Sequence, residues 1–150
     1  MRDTGAKKST ALLIAVALIS VATVASVGIV QRRIRSEGTV YVKVLGVEVY
    51  WDPKCTSVVT EIDWGVLEPS DAVSKTIYVK NTGNAAVTLS MATENWAPAD
   101  AGTFIAVTWD AEGSTLKAGV SIPVNVTLSV SAGIKGISDF SLDIVITGGG

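Results

Sequence analysis

From Val120 to Ser131 apolar and polar residues alternate without a break: Ile122, Val124, Val126, Leu128 and Val130 fall on one face, Ser121, Pro123, Asn125, Thr127 and Ser129 on the other. A period of two is the signature of a half-buried strand. Pro123 lacks the N–H that a ladder requires, so its end of the strand is expected at an edge or a bulge. The same period recurs in Ile77 and Val79, in Val87, Leu89 and Met91, in Ile105, Val107 and Trp109, and in Phe140, Leu142, Ile144 and Ile146. Asn81-Thr82-Gly83-Asn84 reads as hairpin-loop chemistry between two of these runs.

The earliest run, from about Thr39 to Trp51, changes phase. Val40, Val42 and Val44 are in register, while Val47, Val49 and Trp51 are offset across Leu45-Gly46. A bulge or a switch of sheets at Gly46 accounts for the slip. With a further strand at about Ser57 to Trp64, seven short strands follow one another, and an all-β, seven-stranded immunoglobulin-like β-sandwich is the expected fold.

A different kind of segment precedes the strands. Thr10 to Val30 holds 21 residues without a charge, flanked by Arg2, Lys7 and Lys8 before it and by Arg32, Arg33 and Arg35 after it. As a helix rising ~1.5 Å per residue it spans a ~30 Å hydrocarbon core. Its length and the arginines behind it favour a retained transmembrane anchor over a cleavable signal, whose site would fall among Thr23, Ala25, Ser26 and Gly28. A prepilin-like cut after Lys7 and Lys8 is the third reading, and the residues from Ser9 to Leu13 lack the glutamate common in pilins. Positive charge is nearly balanced across the segment, so orientation rests on the composition of the C-terminal part, which favours the outside. The expected organisation is a basic segment at 1–9, the helix at 10–30, a connector at 31–38, the sandwich at 39–147 and a glycine tail at 148–150.

From Ser36 onward there are 13 acidic residues against 6 lysines, a net of −7, and no arginine. The lysines are scattered, which argues against a nucleic-acid footprint. The chain has no histidine and a single cysteine, Cys55. Ser-His-Asp, Cys-His and HExxH chemistry are therefore excluded, as are an internal disulfide and a CxxC site. No cofactor is called for, and no small-molecule class is indicated. Carboxylate-only hydrolysis would have to rest on Asp52, Glu61, Asp63, Glu94 and Asp100, without an evident cleft. Glu61 and Asp63, two apart and on one face of a continuing strand, are a pair that could bind calcium, with solvated surface charge as the simpler reading. Trp51, Trp64, Trp96 and Trp109 sit at strand ends, where core packing explains them more simply than a sugar-stacking platform. Asn125-Val126-Thr127 is the sole N-x-S/T sequon, with Asn125 on the outward face, so it is the candidate glycosylation site of an external domain.

Three stretches together form a recognisable series: Gly46 to Asp52, Ile62 to Pro69 with its Trp-Gly-x-Leu-x-Pro pattern, and Tyr78 to Asn84. Over residues 40 to 147 the chain resembles a group of archaeal membrane-anchored proteins with one immunoglobulin-like domain. More distantly it is similar to the TasA-like matrix fibres of bacteria and to archaeal thread or bundling-pilus subunits. The resemblance implies a fold and no catalytic residues. In the fibre-forming members one subunit donates a strand to the next, and by that likeness the donor face here is Val40, Val42 and Val44. Two functions are therefore expected: a non-enzymatic cell-surface filament or pilus subunit assembling by strand donation, or a monomeric membrane-anchored extracellular module for a protein or glycan partner. The first needs a free arm, and residues 29–45 supply one if the leader is removed near Gly28. In the second the connector from Gln31 to Gly38 reaches at most ~26 Å from the membrane.

Overall fold

The computed structural model describes residues 36–150. The expected anchor, the candidate cleavage site and the basic segment lie outside the described residues. Nine strands are present among the described residues: β1 (Ser36–Leu45), β2 (Glu48–Tyr50), β3 (Glu61–Leu67), β4 (Ala72–Lys80), β5 (Val87–Ala97), β6 (Ile105–Trp109), β7 (Thr115–Leu116), β8 (Ser121–Val130) and β9 (Asp139–Gly149). One four-residue helix, α1 (Ala101–Phe104), precedes β6. The strands form a five-stranded sheet in the order β3-β1-β9-β5-β7 and a four-stranded sheet in the order β2-β4-β8-β6.

The alternating residues supply the core of this all-β, two-sheet, sandwich-like structure. Val124, Val126 and Leu128 of one sheet and Leu142, Ile144 and Ile146 of the other are at most 1% exposed. Complete burial of such side chains contributes about 1.5–3 kcal/mol each. Pro123 pairs with Tyr78 of β4 and lies beyond the reach of β6, whose ladder ends where Trp109 meets Val126. The Asn125 N–H, two residues on, points to Asp110 on the β6 side, so by alternation the proline nitrogen faces a flank with no strand on it.

The expected count of seven strands is corrected to nine. The long first run divides at Gly46, where Leu45 still pairs with Thr147 of the five-stranded sheet and Glu48 already pairs with Lys80 of the four-stranded one. The phase slip is thus a change of sheet. Gly46 has φ +77°, and a Cβ there would collide with the Gly148 carbonyl oxygen, so the crossing requires glycine. The ninth strand is the two-residue β7, too short for periodicity to reveal.

The strand expected at Ser57 to Trp64 is corrected as well. Val58 only bridges Tyr50, Val59 donates its N–H to the Val49 carbonyl, and β3 proper begins at Glu61 against Tyr41. This segment therefore also passes between the sheets, at the corner where Gly46 does. Asn81 to Asn84 do not close a hairpin, because β4 pairs with β8 while β5 pairs with β9 in the opposite sheet. Finally, the strands extend beyond 39–147: Ser36 to Gly38 of the expected connector belong to β1, and Gly148 and Gly149 of the expected tail belong to β9.

Candidate functional site

β1 is the first strand of the described residues, yet it lies inside a sheet. It pairs antiparallel with β3 from Ser36 to Tyr41 and parallel with β9 from Glu37 to Leu45. It is also the one strand in a parallel pair with β9, every other pairing among the described residues being antiparallel. Lifting β1 out would leave a slot between β3 and β9, floored by the core.

The three valines meet this slot unequally. Val40 is fully buried, Val42 packs half-buried against the core, and Val44 is 41% exposed. The gradient follows the neighbours. β3 pairs no further than Tyr41, and Val42 donates its N–H to the Thr60 carbonyl at 2.8 Å as the last bond on that side. Beyond it, Val44 and Leu45 stand at the open corner.

Polar and steric contacts hold the strand at both ends. The buried Ser36 hydroxyl donates to the Ile137 carbonyl at 2.8 Å. Gly38 lies opposite Phe140, whose ring occupies the space where a Cβ at residue 38 would stand. At the other end the Lys43 ammonium lies 2.7 Å from Asp143 on β9 and 3.8 Å from Glu94 on β5. Asn95 Nδ2 donates to the same Asp143 oxygen at 2.7 Å. The hydrogen bonds from Lys43 and Asn95 hold the Asp143 carboxyl below its ordinary range, and the bond to Asp143 raises the Lys43 ammonium above its own. Sequence reading missed this cluster because Lys43, Glu94 and Asp143 are far apart along the chain and only the order of strands brings them together.

The remaining candidates lie elsewhere. Asn125 is exposed on β8, where its Oδ1 accepts from the Thr76 hydroxyl at 2.8 Å and its Nδ2 donates to Asp110 at 3.2 Å. The amide nitrogen that would carry a glycan is thus already engaged. Glu61 and Asp63 share the exposed face of β3, and Asp63 accepts the Gly65 N–H at 2.8 Å. Among the described residues no three His, Cys, Asp or Glu side chains gather as a metal site. Asp52 closes a turn by accepting the N–H groups of Thr56 and Ser57 and the Thr56 hydroxyl, with Cys55 inside that turn at φ +58°. Tyr50 donates to Glu48, and this bond pushes the phenol up to about 12.

The four tryptophans are dispersed. Trp64 is 5% exposed with its Nε1–H unpartnered and the Lys75 ammonium 5.8 Å from the ring centroid, while Trp96 and Trp109 pack half-buried against the core. Trp51 alone is exposed, at 38%. A surface depression of about 300 Å³ beside α1 is lined by residues such as Phe104, Ile105 and Val130, with Thr103, Ser129 and Ser131 as its hydroxyls. None of these features assembles a nucleophile with a base. Compared with known protein families and with curated protein sequences, the chain finds no match.

Proposed function

We propose that this is a non-enzymatic cell-surface structural protein, an immunoglobulin-like sandwich whose β1 passes into the slot of a neighbouring copy to build a filament or pilus-like assembly. The observation that carries this reading is that β1 is first in order and interior in place. Most interior strands are tied at both ends by the strands around them. β1 is joined to the strands that follow only through Gly46 and Val47. β9, interior and last in order, is likewise joined at one end, but β1 is the one that leaves its sheet across a positive-φ glycine. Exchange therefore asks for rotation at that link and keeps every backbone and core contact in the exchanged state. An apolar segment ahead of β1 supports a membrane-linked start to such an assembly.

The alternative is a monomeric membrane-anchored extracellular module for a protein or glycan partner. It is favoured by the fit of β1 into its own domain and by the exposed Tyr41, Leu45 and Trp51. Intact mass and N-terminal sequencing of protein taken from the native cell surface, with negative-stain microscopy of the same fraction, separates the two. A start near residue 29 together with filaments is the expected result. An uncut N-terminus in detergent without filaments would leave the anchored module as the better reading.

A further inference from the structure

The valine face of β1 does not determine where β1 sits. Val40, Val42 and Val44 repeat every two residues, so a slide of two positions along β9 keeps valines pointing at the core. Something else must fix the register, and two positions five residues apart can do so. At one end the Phe140 ring fills the space over Gly38, and a slide by two in either direction puts Val40 or Ser36 there, each with a Cβ that the ring excludes. At the other end Lys43 meets Asp143, whose side chain is 12% exposed, and the same slides substitute Tyr41 or Leu45 and leave that carboxylate without its cation. Reversing the strand inverts the order of glycine and lysine against the order Phe140 then Asp143 along β9, so no antiparallel register satisfies both.

We infer that Gly38 and Lys43 are the specificity determinants of the slot, which therefore selects a parallel strand with glycine five residues before lysine, and that the partner it fits is β1 of a second copy of this chain. This rests on the strand-passing reading above. It adds what that reading lacks, a reason why the slot takes this strand in one register and rejects other valine-rich segments. Glu94 and Asn95 belong to the same device, since together with Asp143 they extend the contact from β1 across β9 to β5.

The test is a charge exchange in the full chain, using Lys43→Glu, Asp143→Lys and the double variant Lys43→Glu/Asp143→Lys. Each single variant sets like charges together in the slot, so both are expected to give about tenfold less sedimentable polymer and a lowered melting temperature. The double variant should recover both. Mixing the two single variants should also restore polymer, because alternating copies set the introduced glutamate against the introduced lysine in one slot and the native Lys43 against the native Asp143 in the next. Recovery in the double variant without recovery on mixing would keep the determinants and overturn passage between copies. Single variants that polymerise and melt like the original chain, or a double variant no better than either single one, would overturn the determinants themselves. Circular dichroism of each variant before mixing identifies any that fails to fold, and Gly38→Val, expected to lose register with all charges intact, then serves as the second probe.

Discussion

At the scale of single residues, this fold depends on a few polar groups that reach across it. Asn81 is fully buried, and its side chain donates to the carbonyls of Ala85 at 2.7 Å and Leu116 at 3.0 Å while accepting the Gly83 N–H at 2.9 Å. Its backbone adds an N–H bond to Val120 and accepts from Gly119. A buried asparagine with every group satisfied is stabilising, and its truncation strands three partners at once. Asn81→Ala is expected to cost about 2–4 kcal/mol, since each unsatisfied buried group costs about 1–3. Urea denaturation followed by tryptophan fluorescence measures this, and an unchanged midpoint would show that water replaces the amide. The same residue explains the misread hairpin. Asn-Thr-Gly-Asn carries turn chemistry, and the turn is present, but chemistry confined to four residues does not say which sheet the chain enters next.

Among the elements, the strands with strong alternation were legible. β8 and β9 lie within a few residues of where the pattern sets them, and the phase slip at Gly46 was visible because burial on one face is a strict constraint. Strand β7 and the bridge at Val58 were not legible, being held by two residue pairs and by one. The Lys43–Asp143 contact was not legible either, because it depends on a parallel pairing of the first and last strands that local sequence does not encode. Gly46 is where these elements can be tested. Its positive φ and its contact with the Gly148 carbonyl both oppose a side chain, so Gly46→Ala is expected to destabilise the fold by about 1–3 kcal/mol, as measured by thermal melting. If the crossing tolerates alanine without loss, the corner is looser than the described geometry and the hinge role assigned to it fails.

For the whole molecule, the described residues combine a closed core with a first strand, β1, that is joined to the strands after it by a single link. Nothing in that core needs β1 to come from the same chain, only that the slot be filled, because Val40 is fully buried there and the slot has strands on both sides. The most direct measurement therefore asks which chain supplies the strand. Thr39 and Ser141 are opposed in the parallel pair; Thr39→Cys/Ser141→Cys, with Cys55→Ser to remove the native thiol, allows a disulfide only between β1 and the β9 it accompanies. Protein from the assembled fraction, oxidised and run on a non-reducing gel, is predicted to give a ladder of covalent oligomers that collapses on reduction. Complete conversion to an internally cross-linked monomer, with intact fold and no ladder, would contradict passage of β1 between copies.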